Sequence, residues 1–194
     1  MTDNFDQIKK LLKFENENEF YFIQVIQRKK EHEFLGKNNR LIKAYYIYSL
    51  ENLEKYESEM ILLANTFNAR IYIHLNRRNA KMIALEMIED LAHSIKSNQF
   101  YLGKIYNTVC GRHHSDKDKN WIIDVDNKNA VFLAKIENFL RNIEPNLGDS
   151  KVLAYIETKN GYHIITNPFN SKKFSEEFKE IEIHKNNPTI LYIP

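Results

Sequence analysis

The chain is poor in cysteine, glycine and proline, and each shortage removes a class of explanation. A single cysteine, Cys110, excludes an intramolecular disulfide framework and fits a reducing compartment. With no usual Cys/His spacing around it, the neighbouring pair His113 and His114 gives no support to a structural zinc site. Five glycines and four prolines in 194 residues leave no linker-like segment and no low-complexity tract beyond an Asn/Lys bias. No window approaches the ~20 apolar residues of a membrane span, and the start MTDNFDQIKKLLKF lacks an apolar signal-peptide core. A soluble, cytoplasmic protein with no membrane partner is therefore expected. Charge of one sign is lacking too: the net +2 is the difference between 28 basic and 26 acidic residues, so only local clustering could mark a polyanionic partner. No Gly-x-x-x-x-Gly-Lys-Ser/Thr, Gly-x-Gly-x-x-Gly or Gly-x-Ser-x-Gly element occurs, which removes the usual support for P-loop ATPase, dinucleotide-binding and serine-hydrolase functions.

What the chain does have is apolar and aromatic residues enough for a packed core, 43% hydrophobic with twelve Phe and eleven Tyr. The length suits one compact domain over residues 1–194, built as an N-terminal α/β lobe (1–110) and a second lobe (111–194). Residues 4–13 read as a short amphipathic helix. The runs 20-FYFIQVIQ-27 and 41-LIKAYYIYSL-50 read as strands of a hairpin with a long connection. Helical spacing follows from 51 to 65, strand alternation in 69-ARIYIHLN-76, and the clearest amphipathic helix in 79–96. After the loop 111-GRHHSDKDKN-120 come strand 121–126, a helix over about 128–142, and strands 151–158 and 162–166 joined at Asn160-Gly161. That dipeptide readily takes the positive φ angles of a two-residue hairpin turn. A short helix near 171–179 and strands 181–184 and 189–193 complete an α+β fold, with mixed or antiparallel sheets and packed helices.

Two segments carry candidate chemistry. In 121-WIIDVD-126, Asp124 and Asp126 fall on one face of a strand, where two carboxylates repel unless a cation or solvent offsets them. Mg²⁺ or Mn²⁺ prefers oxygen ligands and is commonly held by one or two carboxylates plus water and substrate phosphates, and a metal so held can activate a hydroxyl and steady a leaving phosphate. A bare Asp-x-Asp also suits a solvated strand end. In 157-ETKNGYHIIT-166, His163 follows a tight turn. Thr158, Lys159, Asn160 and Gly161 offer hydroxyl, ammonium and backbone N–H groups to phosphate oxygens. Basic clusters at 28-RKK-30, 77-RR-78, Arg112 to His114 and Lys185 are candidate phosphate or template contacts, each of which alone equally suits a solvated strand end.

These segments resemble the catalytic core of the archaeo-eukaryotic primase, or prim-pol, superfamily. WIIDVD is similar to its Asp-x-Asp at a strand end, a helix follows, and TKNGYHIIT is similar to its small-x-His element, with Asn160 or Gly161 near the small position and His163 as the histidine. The resemblance covers about residues 118–194. It implies an RRM-like primase palm in the C-terminal half and a third acidic residue on a later strand, carried here to Glu182, with Glu180 as the alternative. It implies a nucleotidyltransferase using Mg²⁺ or Mn²⁺ on Asp124, Asp126 and Glu182, with His163, Thr158, Lys159 and Lys185 around the triphosphate. Nucleoside triphosphates, single-stranded nucleic acid and a helicase or replication protein are the implied partners. Such proteins occur in mobile elements and viruses as well as cells, so the cytoplasm could be a host's. The zinc-binding insert of many primases has no cysteines here from which to be built. Two alternatives stay open: a degenerate primase-like module that binds nucleotide or nucleic acid without turnover, and a metal-dependent nuclease.

Overall fold

The computed structural model describes residues 1–99, 102–113, 115, 117–146 and 150–194. In chain order the elements are β1 (Thr2–Asp3), α1 (Phe5–Lys9), β2 (Glu19–Gln27), β3 (Arg40–Ile47), α2 (Leu50–Phe67), β4 (Arg70–Asn79), α3 (Ala80–Lys96), α4 (Ile105–Arg112), β5 (Trp121–Val125), α5 (Ala130–Asn142), β6 (Val152–Glu157), β7 (Tyr162–Thr166), α6 (Ser171–Glu177), β8 (Glu182–His184) and β9 (Thr189–Ile193). They form an α+β fold with two sheets, ordered β1-β9-β4-β2-β3 and β6-β7-β5-β8. Every strand pairing is antiparallel.

Alternation along the strands decides which helices cover which face. Ile23, Val25, Ile71, Ile73 and Leu75 turn toward α2, where Leu53, Met60 and Ala64 meet them. Phe20 and Phe22 turn the other way, against Ile83 of α3 and Ile105, Val109 and Cys110 of α4. Helix α4 was not anticipated: its short apolar signal, Ile105 and Val109 one turn apart, lies beside a polar loop. Burial there pushes the Cys110 thiol up to about 11, which suits a packing residue rather than a reactive one. The asparagine bias has a structural use, because the Asn79, Asn129 and Asn170 side chains accept from the first free N–H groups of α3, α5 and α6. Ser49 does the same for α2.

Residues 121–184 run β-α-β-β-α-β. In the second sheet the first strand of this unit, β5, sits between the third and fourth, β7 and β8. Helices α5 and α6 cover one face through Ile136, Leu140, Phe174 and Phe178, packed on Ile123, Val125 and Ile164. The opposite face presents Ile122, Ile156 and Ile165 to the core of the first sheet.

The last strand does not stay with this lobe. β9 crosses back to pair with β4 and β1, so residues 189–193 belong to the first sheet rather than to a lobe spanning 111–194. Asparagine side chains stitch the two sheets. Asn4 donates to the carbonyls of Glu157 (2.9 Å) and Ile190 (3.2 Å), and Asn76 donates to those of Asn120 (3.3 Å) and Lys185 (3.1 Å).

Two arginines expected to face a nucleic-acid groove are internal instead. Arg77 makes a forked ion pair with Asp118 (2.7 and 2.8 Å) and a further bond to Glu15. Arg78, fully buried, donates to the Cys110 and Gly111 carbonyls near the end of α4, to the Asn76 carbonyl and to His74 Nδ1. The reason is positional: β4 stays paired with β2 as far as Asn79, so both arginines lie inside the sheet rather than beyond a strand end, Arg78 under α4 and Arg77 on the opposite face. Burial lowers the Arg78 guanidinium to about 10, still charged at neutral pH. Replacing a buried donor set leaves several carbonyls unpaired, at about 1–3 kcal/mol each. Arg78→Met should therefore lower the unfolding free energy by about 2–5 kcal/mol. Urea denaturation followed by circular dichroism checks this, and an unchanged midpoint would contradict the assigned role.

Candidate active site

Antiparallel pairing sets Asp124 directly opposite His163 on β7 and directly opposite Glu182 on β8. Cross-strand partners share a face with Cβ atoms about 4.5–5.5 Å apart. His163, Asp124 and Glu182 thus form one row across three strands, on the face that turns toward the first sheet. Trp121, Ile123 and Val125 alternate away from it, into the helix-covered core. Ile122 is the last apolar residue on the Asp124 side, and Asp124 and Asp126 continue that side where the sheet ends.

The row opens into a cleft of about 690 Å³ between the two sheets. Its second-sheet wall carries Asp124, Asp126, Thr158, Lys159, Asn160, His163 and His184, and the first-sheet side contributes Arg28, Lys30, Arg70 and Tyr72. Arg70 is held by Glu31, with Nε 3.2 Å from Oε2. Arg28, Lys30 and Lys159 have no ion pair among the described residues. Asp124 and Asp126 therefore stand on the second-sheet side, while the first-sheet side carries three cations, Arg28, Lys30 and Arg70, against one carboxylate, Glu31, which is paired with Arg70.

His163 is fixed from both sides. Its Nδ1 lies 2.8 Å from the hydroxyl of Thr189 on β9, and its Nε2 lies 3.5 Å from Asp124 Oδ1. A carboxylate only accepts, so in the neutral imidazole the hydrogen belongs on Nε2 and the Thr189 hydroxyl donates to Nδ1. Burial lowers the His163 pKa, with Asp124 opposing the shift and His184 adding to it.

Gly161 is required here for a reason other than the one its sequence suggested. Among the described residues positive φ is confined to Gly36, Asn68 and Asn98, so Asn160-Gly161 is not a two-residue turn of that kind. The hairpin closes instead through a four-residue loop, 158–161, in which the Thr158 N–H donates to the Gly161 carbonyl (3.0 Å) and the Gly161 N–H to Thr158 Oγ1 (3.1 Å). A Cβ on Gly161 would lie 1.8 Å from the Val125 carbonyl oxygen and 2.6 Å from the Asn127 nitrogen. The glycine lets this loop press on the backbone that flanks Asp126.

The other expected site residues divide. Thr158 and Lys159 line the cleft. Glu182 shares the row, but its side chain is 76% exposed and turns to His184 Nε2 at 3.3 Å, so it stands at the rim. Lys185, expected near the triphosphate, is on the other face of β8. It lies over the Trp121 ring, 4.6 Å from the centroid, because an odd offset from Glu182 reverses its direction. Arg112 pairs with Asp90 (2.8 Å), and His113 is buried against Glu86 (2.6 Å), so neither reaches the cleft. His114 lies outside the described residues. Of the first basic run, Arg28 and Lys30 are at the cleft and Lys29 bonds the Lys37 carbonyl. His184, Arg70 and Tyr72 were missed. His184 was within reach, being two residues from Glu182 on the same face; Arg70 and Tyr72 come from a strand that precedes Asp124 by more than 50 residues in sequence, which no local pattern reveals.

The donor set fits an oxygen-preferring cation that keeps open positions. Among the described residues no group of three or more His, Cys, Asp and Glu forms a ready metal cage. Asp124 and Asp126 share a face, with Glu182 one strand away, which matches the two-carboxylate sets that leave places for water and phosphate. No family model matches the chain, and neither does any curated protein or solved structure. Among the described residues no helix is long and apolar enough to cross a membrane.

The His163 shift has a measurable sign. An unfolded histidine titrates near 6.5, and burial lowers both His163 and His74, the latter to about 3. The unfolded chain then binds protons that the native one does not, so stability is complete above about pH 6.5 and falls as pH drops toward the native values. His163→Gln should flatten that acid limb by up to one proton, about 1.4 kcal/mol per pH unit. Urea unfolding from pH 7.5 to 5 measures it, and identical slopes in the two proteins would contradict the assignment.

Proposed function

We propose that this protein is a primase-polymerase-like nucleotidyltransferase, which joins nucleotides from nucleoside triphosphates on a single-stranded nucleic-acid template. The observation that carries the reading is the cross-strand row of His163, Asp124 and Glu182 at a cleft whose far side carries Arg28, Lys30 and the Arg70–Glu31 pair, a net positive charge. The order of elements in residues 121–184 is that of ferredoxin-like units, and it supports reading this lobe as an RRM-like palm. Its acids stand on two adjacent strands, Asp124 on β5 with Asp126 just past its end, and Glu182 on the edge strand β8.

Asp124 and Asp126 would hold Mg²⁺ or Mn²⁺, with Glu182 turning in from the rim. A divalent cation there supplies charge neutralisation on phosphate oxygens and lowers the pKa of a bound hydroxyl. The remaining work is positioning by the chain's own groups. With a cation on Asp124, His163 would redirect its single Nε2 hydrogen from that carboxylate to a phosphate oxygen while Thr189 holds the ring. Lys159, Arg28 and Lys30 offset the triphosphate charge, and the Thr158 hydroxyl still has its hydrogen to give. These groups orient the α-phosphate toward an attacking 3′-hydroxyl. A helicase or another replication protein is the implied partner, in the cytoplasm of the cell or of a host.

A second reading is favoured by one observation, the exposed Glu182 side chain: a primase-like module that binds nucleotide without turnover. Asp124→Asn combined with Asp126→Asn should abolish primer synthesis in Mg²⁺ or Mn²⁺, a loss of more than about 10³-fold, while the circular dichroism spectrum stays native. Undiminished synthesis by the double variant would contradict the assignment. Nucleotide binding by the wild type with no synthesis would select the binding module, and shortening of a labelled single strand without nucleotides would select a nuclease.

A further inference from the structure

We infer that an unpaired nucleic-acid strand crosses the open half of the first sheet, from the cleft to a second, acid-free pocket beside β3. This rests on the polymerase reading for the strand's role as template, and on the first sheet alone for its location.

Helices α3 and α4 cover only part of this sheet face, over Phe20, Phe22 and Tyr46. From Ala44, at the edge of that cluster, the register runs a row outward through Gln24, Tyr72 and Ile190 across β2, β4 and β9. Tyr72 and Ile190 line the cleft. Gln24, the direct partner of Tyr72, lines a separate cavity of about 610 Å³ at the β3 edge. The two cavities are thus neighbours on one sheet face, joined through a single cross-strand pair.

The chemistry of the second cavity selects its occupant. Gln24, Asn38, Asn39, Asn107 and Thr108 supply polar groups, Leu35 and Leu41 apolar surface, and Arg40 and Lys104 positive charge, with no acidic residue in the lining. Two of the amides have known orientation. Asn39 Oδ1 accepts from the Lys29 N–H (3.0 Å) and Asn107 Oδ1 accepts from the Tyr46 hydroxyl (2.6 Å). Their NH₂ groups, without a partner among the described residues, are left as donors, which suit the carbonyl oxygens and ring nitrogens of bases. Arg40 and Lys104 are exposed, have no ion pair among the described residues, and suit phosphates. Tyr72 between the pockets offers a ring on which a base can stack, the usual device of single-strand binding surfaces.

Fluorescence anisotropy of a labelled single-stranded DNA oligonucleotide, without nucleotide or metal, tests the path. Arg40→Ala with Lys104→Ala should weaken binding about tenfold or more and reduce the slope of log affinity against log salt by about 1.4, the value for two lost phosphates on a single strand. Polyphosphate of equal charge should compete poorly, because it has no bases. Unchanged affinity and slope in the double variant, absence of oligonucleotide binding by the wild type, or equal competition by polyphosphate would each overturn the inference. Failure of the polymerase reading is distinguishable: a wild type that binds the oligonucleotide through Arg40 and Lys104 but extends no primer leaves the path standing and removes only its role as template track.

Discussion

The return of β9 to the first sheet is the constraint on which the cleft depends. Had residues 189–193 stayed beside β8, the acid-bearing face of the second sheet would end against water. Pairing with β4 and β1 instead brings Thr189 against His163 and holds the β4 cation Arg70, with Arg28 and Lys30, across from Asp124 and Asp126. Asn4 and Asn76 reinforce the same junction from two places, Asn4 by bonding the β6 and β9 backbone and Asn76, on β4, by bonding the backbone beside β5 and β8. Side-chain amides suit this task because they donate and accept at once without adding buried charge.

The two aspartates tolerate each other for an electrostatic reason visible only in three dimensions. On their own strand they repel. In the folded protein, cations from two loops and another sheet face them, and a buried neutral imidazole offers a hydrogen to one. That arrangement suits a polyanionic substrate carrying its own divalent cation, since the cation meets the acids while the phosphates meet the bases.

Much of the element order was legible. Period-two runs such as ARIYIHLN and WIIDVD became strands, and the amphipathic stretch from Asn79 to Lys96 became α3 with its asparagine cap. The Asp124, Asp126 and His163 cluster was legible because strand alternation and a hairpin are local rules. What could not be read was register between distant strands. That register put Arg78 under α4 and brought Arg70 and Tyr72 into the cleft, whereas the direction of Lys185 follows from its odd offset from Glu182 and was within local reach. Gly161 shows the same limit at short range: the hairpin was foreseen, yet the glycine serves a close backbone approach to Val125 and not a positive φ.

The central claim is that Asp124, Asp126 and Glu182 converge on a cation carried with a nucleotide. A crystal soaked with Mn²⁺ and a non-hydrolysable nucleoside triphosphate, examined by anomalous scattering, tests it most directly. The account predicts a manganese peak about 2.0–2.2 Å from carboxylate oxygens of Asp124 and Asp126. Glu182 should be rotated in from the rim and the triphosphate should lie against His163 and Lys159. Manganese and nucleotide bound elsewhere, with those carboxylates unliganded, would contradict it.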